Sequence, residues 1–370
     1  MTLASFSDYR DAARRRLPRV LFDYIDGGAY AEHTLARNVA DFEQVTLHQR
    51  VMHDVSSVDM GVELFGQKLA APIVLSPVGL AGMYARRGEV QAARAAKAAG
   101  LPFCLSTMGL CAVEEVAEKV TPPWFQLYVM KDRGVMRELI ARAKAAGSPV
   151  LVLTVDLQTP GTRYRDIRSG MTGVGGVGAQ IRQAADGMMH PAWLWDVMVT
   201  GGSRRFGNLT SAIPKARSLA DFWQWIGANF DPSMTWKDME MIREAWGGPI
   251  LVKGVLDVTD ARDAVSAGAQ GIVVSNHGGR QLDGAISSIA ALPGIVEAVG
   301  DKTTVLMDGG VRSGLDVLKA MSLGAKGVLI GRAWAFALGA GGESTVAAAL
   351  ARLKAELRTA MMLTGRTDLK

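Results

Sequence analysis

Cysteine is nearly missing from this chain: there are two among 370 residues, Cys104 and Cys111. Two thiols cannot build a disulfide framework or close a four-ligand zinc site, so neither device holds the fold together. They suit a reducing compartment, and Cys104 sits in an apolar run as a small core residue would. Charge is sparse too, at 21% of residues with a net charge of +5. Without a dense Lys/Arg block, that balance excludes a nucleic-acid binder. No uninterrupted apolar run reaches the roughly 18 residues of a membrane-spanning helix. The opening MTLASFSDYR lacks the charged start and apolar stretch of a secretory signal.

What is present is apolar material, 49% of residues, enough for a large core and too much for a disordered or low-complexity chain. From residue 70 onward it has a rhythm. Short apolar runs, each ending in a polar or glycine-bearing tip, alternate with stretches of helix formers. The runs begin at Pro72, Pro102, Trp124, Val150, Pro249, Gly271, Thr303 and Gly327. Continuous apolar runs of this length suit strands buried on both faces, as in a parallel sheet. Between them, stretches such as 89–99, 260–267 and 314–323 favour helix and are stopped by Gly100, Gly268 and Gly324.

Eight strand–helix units in series are the number that closes a (β/α)8 barrel. An open doubly wound sheet is the alternative, and the even spacing disfavours it. The expected fold is therefore α/β, a TIM (β/α)8 barrel over 71–370. A helical extension over 1–70, with a hairpin around Phe65 and Gly66, precedes it. The fourth and fifth runs stand far apart, so strand 4 is followed by a long insertion, 171–235. The whole of 1–370 reads as one domain.

Working residues of such barrels sit at the C-terminal ends of the strands. Those tips are Pro77-Val78-Gly79, Ser106, Gln126 with Tyr128, Thr154 with Asp156, Lys253, Ser275-Asn276-His277, Asp308-Gly309-Gly310 and Gly331-Arg332. One Ser or Thr there is an ordinary turn former; polar groups from almost every strand point to a large polar ligand. The loops Asp308-Gly309-Gly310-Val311-Arg312 and Gly331-Arg332 follow the last two strands, the usual phosphate site of this architecture. Glycine admits backbone N–H groups close to a phosphate, a following helix N-terminus favours its charge, and Arg adds donors. Tight turns alone are the plainer reading of those glycines.

Lys253 ends a strand buried on both faces, a costly place for an ammonium without a partner. A flavin ring would supply one, with Ser106, Gln126 and Thr154 on its polar rim. The residues by themselves describe a phosphorylated planar cofactor in a barrel mouth. After the sixth strand, His277 and Arg280 stand three apart with two glycines between them. Arg280 can clamp a carboxylate while His277 takes a proton beside it. Asp156, on another tip, can orient the imidazole and stabilise its charged form.

SNHGGRQLDG at 275–284, together with DGGVR at 308–312, WFQLY at 124–128 and LFDYIDGGA at 21–29, resembles the FMN-dependent α-hydroxy-acid dehydrogenase and oxidase family. The likeness is colinear over essentially the whole chain. GAYAEHTLARNVADF at 28–42, TPGTRYRDIRSGM at 159–171 and NFDPSMTWKD at 229–238 look most like its bacterial membrane-associated, quinone-linked branch acting on L-lactate. The resemblance implies FMN as cofactor and His277 as the base. It puts Arg163 and Arg280 on the substrate carboxylate, with Tyr24 and Tyr128 beside the carboxylate and hydroxyl. It sets FMN against Ser106, Gln126, Thr154, Lys253 and Ser275, its phosphate on 308–312 and Gly331-Arg332, and the backbone of Pro77, Val78 and Gly79 near the flavin N5.

The implied reaction is oxidation of an (S)-2-hydroxy acid, L-lactate foremost, with electrons leaving FMN for a quinone or another external acceptor. A mandelate-type dehydrogenase, a peroxide-producing oxidase and a non-redox phosphate-binding barrel stay open as alternatives. Gly79 stands where many oxidases of the family carry Ala, and no haem-binding extension precedes the barrel. A homo-oligomer, commonly a tetramer, is implied by resemblance alone, and no metal is expected. In the insertion, a Gly-rich start at 171–178 leads to Met188, Met189, Trp193, Trp195 and Met198, with Arg204, Arg205 and Phe206 close by. Trp and Met beside Arg suit a headgroup zone, giving peripheral contact with the cytoplasmic face of the inner membrane; a lid over the barrel is the other reading.

Overall fold

The computed structural model describes residues 2–172, 177–202, 205–213 and 219–369. Residues 173–176 of the Gly-rich stretch, and Arg204, lie outside the described residues. A hairpin of β1 (Val62–Leu64) and β2 (Gln67–Leu69) turns at Phe65 and Gly66, both with positive φ. Eight strands follow: β3 (Ile73–Leu75), β4 (Cys104–Ser106), β5 (Trp124–Tyr128), β6 (Leu151–Thr154), β7 (Ile250–Val255), β8 (Gly271–Val274), β9 (Thr304–Asp308) and β10 (Val328–Ile330). They pair in parallel in the order β3-β10-β9-β8-β7-β6-β5-β4. A parallel bridge between Leu75 and Phe103 joins the two ends, Leu75 N donating to the Pro102 carbonyl at 3.0 Å. The sheet is thus the closed barrel the spacing predicts, with helices around it.

Successive strand residues face opposite sides, and here both sides are buried. Val74, Cys104, Trp124, Val152, Leu251, Val273, Leu306 and Leu329 pack together as one cluster inside the ring, with Leu64 and Leu69 of the hairpin. Their chain neighbours Leu75, Leu105, Phe125, Leu153, Val252, Ile272, Met307 and Ile330 join the separate, larger cluster under the helices. Two faces in two cores explain why the runs read as unbroken apolar sequence. Two residues beyond each member of the inner set stand Ser76, Ser106, Gln126, Thr154, Lys253, Ser275, Asp308 and Gly331. The interior changes from apolar to polar at one level, on all eight strands.

The opposite end is shut. Trp124 Nε1 donates to Gln67 Oε1 at 2.7 Å, and its ring meets Phe65 edge-on at 5.7 Å, so the hairpin plugs the N-terminal end of the barrel. Local signals delimit the outer helices: Asp257 caps helix Val258–Ser266 by accepting from Thr259 N, and Gly268, at φ +91°, lets the chain turn back towards β8. Helices Arg19–Asp26 and His33–Ala40 of the extension reach the polar end. There Asn38 and Asn276 exchange two side-chain hydrogen bonds of 2.8 Å, fixing the extension to the loop after β8.

The insertion between β6 and β7 contributes helices Tyr164–Ser169, Val177–Met188, Leu219–Asn229 and Asp238–Trp246, and a π-helical turn, Leu194–Val199. Trp193 is buried and donates to the Met83 carbonyl at 2.7 Å, which takes it out of the exposed set. Ile181, Met188, Met189, Trp195 and Val199 are exposed. Among the described residues no helix is long and apolar enough to cross a membrane.

Trp334 is fully buried against the barrel wall, donating to the Ser76 carbonyl at 3.1 Å and meeting Phe103 edge-on. Trp334→Ala is expected to cost about 3–5 kcal/mol, read as a lower urea midpoint at unchanged slope; a loss under about 1 kcal/mol would contradict this packing.

Candidate active site

The polar level of the barrel is held by ionic and hydrogen bonds. Lys253 Nζ lies 2.9 Å from Asp308 Oδ2 and donates to Ser275 Oγ at 3.0 Å; the same oxygen accepts from His277 N at 3.1 Å. Burial works against the ammonium, but Asp308 and Asp156 outweigh it and raise the Lys253 pKa. Lys253 therefore stays charged. Ser106 Oγ donates to Gln126 Oε1 at 3.1 Å, and Gln126 Nε2 is buried with no hydrogen-bond partner among the described residues. Asp308 Oδ1 is in the same condition. Such groups cost about 1–3 kcal/mol each when left unmade, so they point to a ligand that supplies an acceptor and a donor.

His277 opens a left-handed turn, with φ of +57°, +66° and +74° at His277, Gly278 and Gly279. Its Nδ1 is 2.8 Å from Asp156 Oδ1. With Asp156 ionised, the ring proton belongs on Nδ1 and the lone pair on Nε2. Burial pushes the His277 pKa down; Asp156 works against that push, while Lys253 and Arg163 add to it. The net direction is down, so the free imidazole is neutral and able to accept. Burial opposes the charge of Asp156 as well, but His277 and Lys253 outweigh it and leave its pKa lowered. Gly254 makes room for this carboxylate: a Cβ there would stand 2.6 Å from Asp156 Cβ.

Arg280 Nη1 donates to the Tyr24 carbonyl at 2.6 Å and the Gly27 carbonyl at 2.8 Å, and the guanidinium lies 4.8 Å from the Tyr24 ring centre. Arg163 Nε donates to the Arg280 carbonyl at 3.3 Å, while its Nη1 is 3.5 Å from Asp166 Oδ2. Tyr128 packs edge-on against Phe230, and burial raises its phenol pKa. Tyr24, Tyr128, Arg163, Arg280 and His277 share the wall of one cavity with Pro77-Val78-Gly79, Thr154, Lys253, residues 308–312 and Gly331-Arg332. Its empty space, counted with the open mouth and the solvent in it, is about 1410 Å³.

Asp156, Ser106, Gln126 and Ser275 are not on this wall. Asp156 and Ser275 reach it through His277 and Lys253; Ser106 and Gln126 belong to the polar level of the barrel. Arg332 lines the cavity, but three of its N–H groups go to the carbonyls of Ile25, Gly278 and Gly27 at 2.8–2.9 Å. Arg312 donates to the Val311 carbonyl and lies over Phe6, with burial lowering its pKa to about 10. Gly310, at φ +86°, sits where a Cβ would collide with the Asn38 carbonyl. The wall also holds Asp166, Trp223, Ile226 and Phe230, which sequence reasoning missed. The spacing Arg163-x-x-Asp166 was a usable signal for the first, and Phe230 stands in the NFDPSMTWKD stretch; Trp223 and Ile226 sit in the insertion with no motif around them.

Residues 13–370 match the family model described as FMN-dependent dehydrogenase. An L-lactate dehydrogenase of Caulobacter vibrioides is 59% identical over 369 residues, covering 100% of this chain and 96% of that protein. An L-lactate dehydrogenase of Alcaligenes faecalis is 55% identical, covering 98% and 96%. Among solved structures, the monotopic membrane protein (S)-mandelate dehydrogenase superposes with a TM-score of 0.93 at 34% identity, covering 100% of this chain and 97% of that one. A mandelate oxidase with (S)-2-phenylpropionate gives 0.83 at 37% identity, covering 100% and 96%.

The electrostatics of His277 can be tested directly by NMR titration of its ring. The midpoint is expected below the usual imidazole value of about 6.5. Asp156→Asn removes the group that raises it, so the midpoint should fall further. A midpoint at or above the usual value, or a rise in the variant, would contradict the assigned balance.

Proposed function

The chain belongs to the FMN-dependent dehydrogenase family and is an oxidoreductase of 2-hydroxy acids, and on that premise we propose that it oxidises L-lactate to pyruvate and delivers the electrons to a membrane quinone, with 1–370 acting as one FMN-binding unit. FMN fits the residues present. Gln126 Nε2 is an unused donor and Asp308 Oδ1 an unused acceptor in the polar level of the barrel. Ser106, Gln126, Thr154, Lys253 and Ser275 would hold the ring, with the backbone of Pro77, Val78 and Gly79 against it. Residues 308–312 and Gly331-Arg332 would hold the phosphate, ahead of helices Gly314–Ser322 and Arg332–Gly341. Bound there, FMN supplies the acceptor for the two electrons that leave the substrate.

One observation carries the reading: a neutral imidazole, held at 2.8 Å by the largely enclosed carboxylate of Asp156, shares a cavity wall with two arginines. Arg163 and Arg280 hold the substrate carboxylate, and the Tyr24 and Tyr128 hydroxyls bond its oxygens. His277 Nε2 takes one proton from the hydroxyl-bearing end, and Asp156 stabilises the imidazolium that results. Trp223 and Phe230 line the cavity against the rings of Tyr24 and Tyr128; the L-lactate dehydrogenases among the relatives support a short substrate side chain. The mandelate enzymes among the structural neighbours favour (S)-mandelate as the second reading. Exposed Met188, Met189, Trp195 and Val199 support peripheral attachment to the cytoplasmic face of the inner membrane. Likeness to a monotopic membrane protein supports it too.

Anaerobic bleaching of the flavin separates the substrates. L-lactate should bleach it, D-lactate should not, and L-mandelate should have a kcat/KM lower by about tenfold or more. Faster bleaching by L-mandelate would replace this reading with the second, and stoichiometric peroxide in air would make the protein an oxidase. For attachment, the protein should sediment with anionic lipid vesicles. The triple variant M188S/M189S/W195S should lose most of that binding while keeping its kcat with a soluble dye, and unchanged sedimentation would end the membrane proposal.

A further inference from the structure

Tyr24, Arg163 and Arg280 come from three separate segments, and one buried carboxylate joins the first two. Asp26, 7% exposed, stands two residues after Tyr24 at the end of helix Arg19–Asp26. Arg165 stands two residues after Arg163 in helix Tyr164–Ser169. Their side chains meet, Arg165 Nη1 donating to Asp26 Oδ2 at 2.6 Å. Arg165 Nη2 donates to Glu32 Oε2 at 2.5 Å, and Glu32 Oε1 accepts from Gly28 N at 2.9 Å. Arg10 approaches from the other side, with Nε and Nη2 at 2.6 and 2.7 Å from the two Asp26 oxygens.

This is not a loose surface pair. An exposed ion pair has a geometry that side-chain entropy and solvent easily undo. Here a carboxylate sits between two guanidinium forks, a directional arrangement. Burial works against its charge, and the two arginines hold it below the usual carboxylate range. The backbone beside it is tied in the same sense: Tyr30 N donates to the Thr162 carbonyl at 2.8 Å, and the carbonyls of Tyr24 and Gly27 accept from Arg280. Tyr24 and Arg163 are thus linked by side chains that do not line the cavity, Asp26 and Arg165, as well as by Arg280, which does.

We propose that Asp26 and Arg165 form a latch that sets the spacing of Tyr24 and Arg163, making Arg165 a positioning residue for recognition of the substrate carboxylate. The inference rests on the assignment of Tyr24 and Arg163 to that carboxylate. Displacing a positioned group by even an ångström can weaken its action by about a hundredfold, so loss of the latch should be visible in binding.

The test uses the FMN-loaded full chain and the variants R165M, R165K, D26N and R163M, with L-lactate as substrate and oxalate as an inert carboxylate probe read by flavin absorbance. R165M should raise KM and the oxalate Kd together by about tenfold or more while kcat changes less. R165K, which can still reach one of the two carboxylates, should recover part of the loss. The double variant D26N/R165M should be little worse than either single one, since both break the same contact. D26N keeps the size of the side chain and serves if R165M folds poorly. If R165M and D26N lower the melting temperature but leave KM and the oxalate Kd unchanged, the pair only stabilises the fold and the latch is overturned. If R163M raises KM and R165M does not, the latch fails while the carboxylate assignment stands. If R163M itself leaves KM unchanged, the assignment fails and takes the latch with it.

Discussion

The rest of this structure depends on a change of solvent inside the barrel. On every strand, one step of two residues separates an apolar inward position from a polar or glycine one, so a dry core ends and a reactive floor begins at a single height. Below it, Trp124 and the hairpin cover the N-terminal end. Above it, Lys253 and Asp308 lie in contact where neither could be buried alone. Because the pleat has a period of two, no strand can slip by one residue without sending its polar tip into the helical shell. The register that builds the core therefore also aims the chemistry.

The mouth above that floor is assembled from parts that begin elsewhere. Helices of the extension bring Tyr24 and Asn38, the loop after β6 brings Arg163, and the loop after β8 brings His277 and Arg280. What joins them is largely main-chain carbonyl: those of Tyr24, Ile25 and Gly27 accept from Arg280 and Arg332. These carbonyls lie at the C-terminal end of helix Arg19–Asp26, which needs donors and favours positive charge. The arginines thus do two things at once, capping a helix and facing a cavity.

That double use explains what could be read from the chain alone. The barrel was legible because eight runs buried on both faces leave an unmistakable apolar pattern, and the tips were legible because they follow those runs directly. The His277–Asp156 contact could be anticipated from two strand ends. The partners of Arg332 could not, since a backbone carbonyl is present at every residue and leaves no mark in the sequence. Nor could the packing of Trp223 and Phe230, whose position depends on how the insertion folds back over the mouth. Trp193 shows the same limit in reverse: its neighbours face outward, and only the contact with Met83 reveals that it does not.

His277 holds a backbone shape that glycine adopts freely and a histidine adopts rarely. A chain selected only to fold would place Gly or Asn at this point. Retaining the imidazole there sets thermodynamic comfort against reactivity at a single peptide unit. Drift towards greater robustness and drift towards faster turnover would pull that position in opposite directions.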